Sequence, residues 1–218
     1  MLILTIIILF TLIIPNDNFI NAGPMAGYST KREVALWIQT TESVNVRFEY
    51  WEESNPENIF STTSKVTNNE SGFTATLIAD FLEPGNKYIY VPVINNARIN
   101  LDYLLEFQTQ SHWEYRTDPP NFSFAAGSCS YINEPQYDRP GKSYGGEYYI
   151  FENILEKDPD FMLWLGDNVY FREPDNSKTG VYHRYTHDKS IPELQGLLGS
   201  VHHYAIWDDH DYGPNNSD

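Results

Sequence analysis

Three apolar runs, each closing on side chains suited to hold a cation, constrain this chain more than any other feature. Phe161-Met162-Leu163-Trp164-Leu165 leads into Gly166-Asp167-Asn168-Val169-Tyr170, and Tyr204-Ala205-Ile206-Trp207 leads into Asp208-Asp209-His210-Asp211. Phe122 to Ala126 has the same shape and leads into Gly127-Ser128-Cys129, ending on the only cysteine. Short apolar runs bounded by turn residues read as buried strands. When such strands all deliver ligands at their carboxyl ends, an open α/β sheet builds a site along one edge. The intervening pattern agrees. Residues 147–157 carry Tyr148, Phe151, Ile154 and Leu155 at helical spacing and stop at Asp158-Pro159. Ser190-Ile191-Pro192-Glu193 has capping-box spacing with proline in the first turn, which opens a second helix through residue 197 or 198. Strand alternating with helix over residues 122–218 implies a mostly parallel sheet with right-handed crossovers.

The preceding half has a different period. Val34-Ala35-Leu36-Trp37-Ile38, the alternating Val44 to Trp51, Phe73 to Ile78, Tyr88-Ile89-Tyr90 after Pro84-Gly85, and Leu101 to Thr109 read as short strands from residue 28 onward. Short strands separated by turns predict a small β-sandwich over residues 23–112. The string Leu82-Glu83-Pro84-Gly85-Asn86-Lys87-Tyr88-Ile89-Tyr90 resembles fibronectin type III domains. Residues 113–121, with Asp118-Pro119-Pro120, read as a linker, because two prolines stop a sheet and stiffen the join. No catalytic cluster stands out before it.

Residues 1–22 are a third region. Leu2 to Ile14 is almost wholly apolar and is followed by Asn16-Asp17-Asn18 and the small residue Ala22. The run is too short for an ordinary membrane span and fits the apolar core of a secretory signal peptide. Export to the periplasm, cell surface or medium is the expectation; a retained segment would instead anchor the chain to a membrane. One cysteine excludes an intrachain disulfide, so an exported chain relies on core packing or metal. A net charge of −16 argues against duplex nucleic acid, whose phosphates need a basic face. It leaves room for a small phosphorylated ligand whose charge is met by metal ions.

The three blocks carry the chemistry. In Gly166-Asp167-x-x-Tyr170 the glycine lets the backbone turn out of the strand, so that carboxylate and phenol can reach one site; a bridging carboxylate is what a dinuclear centre needs. A tyrosinate ligand points to a strongly Lewis-acidic ion such as Fe³⁺, since a phenol of pKa about 10 loses its proton only beside high charge. The competing reading is a strand-end turn with its aromatic ring on the core. Four consecutive ionisable groups, Asp208 to Asp211, cost too much buried without cations or partners; the competing reading is a turn that exposes all four. Read functionally, Asp209 is a ligand and His210 faces the substrate as acid or hydrogen-bond donor. Cys129 is either a small buried hydrophobe or a thiolate ligand. Asn168 and Arg184 are the candidates for substrate contact, Arg184 as a phosphate clamp; the competing reading of Arg184 is a surface arginine stacked on tyrosines. His202-His203 reads as surface at the start of a strand.

Together, Gly127-Ser128-Cys129, Gly166-Asp167-Asn168-Val169-Tyr170 and Trp207-Asp208-Asp209-His210-Asp211 resemble the PhoD-type alkaline phosphatases of the calcineurin-like metallophosphoesterase superfamily. The resemblance covers residues 122–218, and those enzymes also carry an N-terminal β-sandwich. It implies an α/β protein with a fibronectin-III-like sandwich followed by an incomplete metallophosphoesterase domain. It also implies Fe³⁺ and Ca²⁺ as cofactors and phosphate mono- or diesters as substrates. By motif, Cys129, Asp167 and Tyr170 fall on the iron side, with Asp167 bridging. Asp209 falls on the Asn or Asp ligand position, and His210 on the catalytic histidine. The resemblance further implies direct displacement without a covalent phosphoenzyme. The family's later histidine ligands have no counterpart here, so the expectation is a C-terminally truncated fragment that is inactive by itself. A different class of function fits part of the same pattern: a secreted sandwich that binds carbohydrate or protein, with Ca²⁺ held structurally by the acidic loops.

Overall fold

The computed structural model describes residues 19–213, 215 and 216. The apolar segment Leu2 to Ile14 therefore lies outside the described residues. The N-terminal unit is a two-sheet sandwich. One antiparallel sheet has the order β1 (Ile20–Ser29), β2 (Val34–Thr40), β6 (Thr74–Ala79). The other is built on β3 (Asn45–Glu52) and β7 (Lys87–Ile94), flanked by the short β4 (Phe60–Ser61), β5 (Lys65–Val66), β8 (Ala97–Arg98) and β9 (Glu106–Gln108). Alternation drives the burial: Val46, Phe48 and Tyr50 of β3 point inward while Asn45, Arg47 and Glu49 line the other face. They meet Leu36, Ile38, Leu77, Tyr88, Tyr90 and Phe107 in one core, where the rings of Tyr88 and Phe107 stack at 5.3 Å.

Two expectations shift here. The sandwich begins at Ile20 rather than 23, with Ile20 opposite Thr40 and Ala22 opposite Gln39 in the ladder, so the expected cleavage point at Ala22 falls inside β1. The strand expected over 101–109 is paired only over Glu106–Gln108.

Residues 109–123 contain neither helix nor strand. Beyond them lies a parallel three-stranded sheet, β10 (Phe124–Gly127), β11 (Phe161–Leu165), β12 (His202–Ile206), in that order. α1 (Ile150–Leu155) and α3 (Pro192–Ser200) cover one face, where Met162 and Trp164 bury against Phe151, Leu194, Leu197, Leu198 and Val201. The other face leaves Phe124, Leu165 and Ile206 in solvent, at 53%, 47% and 58% exposure. α2 (Lys178–Lys189) was not expected, and its ending explains why the capping box at Ser190 does not form. Ser190 closes α2 and its hydroxyl donates to the His187 carbonyl, while α3 starts at Pro192 with no side-chain cap.

The two units share a seam along β1. The Tyr90 hydroxyl donates to the Gly199 carbonyl (2.9 Å), the Gly23 N–H donates to Gln195 Oε1 (2.8 Å), and the Ser29 N–H donates to the Tyr204 hydroxyl (3.1 Å). Gly199 permits the approach, because a Cβ there would sit 2.6 Å from Leu105 Cδ2. His202 and His203 are buried, not on the surface. His202 lies between the Gly27 carbonyl (2.8 Å) and the Gln108 backbone, tying sandwich to sheet. His203 accepts the Trp164 indole N–H (2.8 Å) and stacks on that ring. Burial lowers the pKa of both imidazoles, that of His203 to about 4. The two rings point to opposite faces of β12, His202 toward the sandwich and His203 toward Trp164 and α3, and each is hydrogen-bonded there.

Candidate metal centre

Parallel pairing in register brings the three strands to a common edge, with Gly127 opposite Trp164 and Leu165 opposite Ile206. The loops that follow are held by one another. The Cys129 N–H donates to the Gly166 carbonyl (3.3 Å) and the Ser130 N–H to the Asp167 carbonyl (3.0 Å). Gly166 (φ 91°), Asp167 (φ 50°) and Cys129 (φ 59°) all sit in the left-handed region, so the turn bends sharply out of β11. For Asp167 and Cys129 that conformation is strained and held by the surrounding bonds. A Cβ on Gly166 would lie 2.7 Å from Asp208 Cβ, so the close approach of the β11 and β12 loops needs glycine.

The four acidic and imidazole groups after β12 divide into two pairs. Asp211, buried, accepts from the Asn168 N–H (2.7 Å) with one oxygen and from the Asp208 N–H (2.8 Å) with the other, pinning the two loops together. Asp208 caps the short 3₁₀ turn Asp209–Asp211 by accepting from the Asp209 N–H. Asp209 accepts from the His210 N–H (3.0 Å) and from the Asn216 N–H, and with His210 it lies beside Asp167. Ligand atoms of Asp167, Asp209 and His210 all lie within 4.8 Å of one another.

On its other side Asp167 meets Tyr170 and Cys129. The Tyr170 hydroxyl donates to Asp167 Oδ2 (2.8 Å), and Cys129 Sγ lies 3.6 Å from the same oxygen. The Tyr170 ring approaches the His210 imidazole at 4.6 Å between centroids. Burial first, then the bonds to Cys129 and Asp167, push the Tyr170 phenol well above its usual range. It is therefore a neutral donor here, and only an adjacent cation would take its proton. Cys129 is exposed, which removes the reading of it as a small buried hydrophobe.

A cation fits this donor set. Asp167 Oδ1 and Asn168 Oδ1 are buried acceptors with no donor among the described residues. Leaving such atoms unmet costs about 1–3 kcal/mol each. Asp167 already uses Oδ2 for the phenol and thiol, so Oδ1 remains available to an ion shared with Asp209 and His210.

The two substrate-contact candidates are placed differently. The Asn168 amide donates through Nδ2 to the Ile206 carbonyl (3.0 Å), which leaves an acceptor free; that atom suits a cation rather than a phosphate oxygen. Arg184 is fully buried on α2 and does not reach the edge as a clamp. It pairs with Asp175 (3.0 Å), Glu134 (2.8 Å) and Asp188 (3.6 Å). Burial opposes its charge, but the Asp175 bond and the neighbouring carboxylates win and raise its pKa. Tyr131, which no motif singles out, packs against Tyr170 at 5.2 Å and carries the Arg172 guanidinium over its ring at 4.1 Å. Its position two residues after Cys129 was the available signal.

The solved structure of PhoD superposes on this chain with a TM-score of 0.70 over 90% of the chain, at 18% identity. The fold is PhoD-like. The chain spans 40% of the length of that PhoD structure. The sensor domain of the anti-sigma factor RsgI4 in Pseudobacteroides cellulosolvens matches 41% of the chain and 92% of its own length (TM-score 0.34, 20% identity). A fibronectin type III domain derived from human KIAA0970 protein matches 48% of the chain and 84% of its own length (TM-score 0.33, 16% identity). No protein-family model and no curated protein matches the sequence.

Proposed function

We propose that the carboxyl edge of the β10–β12 sheet forms part of a metal-dependent phosphoester hydrolase site. The observation that carries this reading is the pair of buried, donorless acceptors on Asp167 and Asn168, set among carboxylate, imidazole, thiol and phenol groups. Cys129, Asp167, Tyr170 and Asp209 would hold the metal, with Asp167 between the two sides of the cluster. A thiolate and a tyrosinate select Fe³⁺ on one side, and carboxylate and amide oxygens suit Ca²⁺ on the other. When bound, the cations would neutralise the negative charge on the phosphoryl oxygens. His210 faces the same space and gives a hydrogen bond or proton to the departing oxygen. Small phosphate mono- and diesters are the proposed substrates, consistent with a chain whose charge of −16 repels duplex nucleic acid. We place this activity outside the cytoplasm, on the apolar segment at residues 2–14.

The test is metal titration of the protein. Fe³⁺ should give a visible tyrosinate-to-iron charge-transfer band that Tyr170→Phe abolishes, with Cys129→Ser altering its energy. Ca²⁺ binding indifferent to both substitutions, with no coloured iron species, would overturn the proposal and favour a calcium-stabilised binding module.

A further inference from the structure

A second concave feature adjoins the cluster. Beyond Tyr170 lies a cavity of about 450 Å³, a size that accepts a small organic group. Tyr131, Tyr137, Tyr144, Tyr170 and Phe171 supply its aromatic walls. The rings are continuous with the candidate metal centre. Tyr144 meets Tyr131 edge-on at 5.0 Å, Tyr131 meets Tyr170 at 5.2 Å, and Tyr170 meets His210 at 4.6 Å. Tyr131 is fixed by more than its ring contacts. Its hydroxyl donates to Asp138 (2.9 Å), and Arg172 covers one face while bonding the same carboxylate (2.8 Å).

The charges of the lining decide what kind of group it takes. Arg139 and Arg172 are matched by Asp138 and Glu173, so the formal charge of the wall sums to zero. Arg172 is spent on Asp138 and on the carbonyls of Tyr170 and Ile132, and is buried. Arg139 is exposed and has no hydrogen-bond or ion-pair partner among the described residues, but the exposed Glu173 lines the same cavity, and its charge disfavours an anionic occupant. A neutral wall of ring carbons beside a candidate cation site would separate the two ends of a phosphoester, with the phosphoryl group toward the metal-binding side chains and the uncharged part toward the rings.

We infer that this cavity binds the alcohol moiety of the substrate and selects phosphoesters of flat, uncharged aromatic alcohols over aliphatic ones. This rests on the phosphoester reading of the neighbouring cluster. Offset or edge-on packing against Tyr144 and Tyr131 is the preferred geometry for an aromatic guest and is denied to a methyl group. Tyr144 is the specificity-determining residue, since it is exposed and unburdened by the Arg172–Asp138 frame that fixes Tyr131.

The test uses two non-hydrolysable probes, benzylphosphonate and methylphosphonate, titrated calorimetrically into the full chain with and without Fe³⁺ and Ca²⁺. The metal-loaded protein should bind benzylphosphonate about tenfold more tightly. Tyr144→Ala should bring the ratio close to one, and Tyr144→Phe should retain it, since the ring and not the hydroxyl is at work. A ratio near one in the wild-type protein with metal bound overturns the cavity assignment and leaves the metal reading standing. A tenfold ratio that survives Tyr144→Ala puts the ring elsewhere and likewise overturns it. A protein that takes up neither metal overturns the phosphoester reading, and the substrate preference with it.

Discussion

Asp211 holds the candidate site together without facing it, and replacing it by alanine separates positioning from ligation. Its carboxylate accepts the backbone N–H of Asn168 at 2.7 Å and that of Asp208 at 2.8 Å, one per oxygen. Hydrogen bonds to a charged group contribute about 1.5–3 kcal/mol each, which sets an upper bound of about 6 kcal/mol. Asp208 is exposed and its freed N–H can take water, whereas Asn168 is half-buried. The expected loss for Asp211→Ala is therefore about 2–4 kcal/mol, read as a lowered urea midpoint at unchanged slope. Asp211→Asn retains one acceptor and should lose about half as much. Because the bonds fix Asp167 relative to Asp209, metal affinity should fall in the same order. An Asp211→Ala protein within about 0.5 kcal/mol of wild type, with an unaltered metal titration, would refute the claim that this carboxylate aligns the loops.

Two further outcomes follow from the geometry. Gly166→Ala should destabilise the protein by about 1–3 kcal/mol in the same urea assay, from its left-handed backbone and the 2.7 Å approach to Asp208, and should weaken metal uptake. His203, with its folded pKa lowered to about 4, resists protonation that the unfolded chain accepts near 6.5, so stability should be complete above about pH 6.5 and fall as pH drops toward 4. The shift corresponds to about 3 kcal/mol at the bottom of that window, and His203→Gln, which keeps an acceptor for Trp164, should flatten the midpoint-versus-pH profile between 7 and 5; an unchanged slope would show that His203 is not the titrating group.

Much of the scaffold was legible because its local signals agreed. β3, β6, β7 and the three strands of the parallel sheet fall close to where period-two alternation or short apolar runs put them. β1 was missed because Gly23, Pro24 and Gly27 punctuate it like a loop, and its register shifts at several points. α2 escaped because its buried face carries Arg184 and Asp188 instead of apolar residues, so no hydrophobic period marks it. The same blindness misassigned Arg184: a lone arginine among tyrosines does not disclose carboxylates from residues 134 and 175. Within the acidic run after β12, the sequence shows four candidates but not that backbone donors bond all three carboxylates, nor that Asp211 alone ties this loop to the one after β11. Histidines 202 and 203 read as surface because nothing local discloses that the sandwich meets His202 or that Trp164 and α3 enclose His203.

The helix-free side of the parallel sheet has a colloidal consequence. Sheets of this kind are normally clad on both sides, and among the described residues Phe124, Leu165 and Ile206 leave the part of this side beyond the sandwich in contact with water. Two such molecules would gain by pressing these sides together, while like charge of −16 on each holds them apart. The balance is set by the ionic atmosphere, whose reach shrinks from about 30 Å at 0.01 M to about 3 Å at 1 M salt. Dilute buffer thus favours separate molecules, and brine favours clumping.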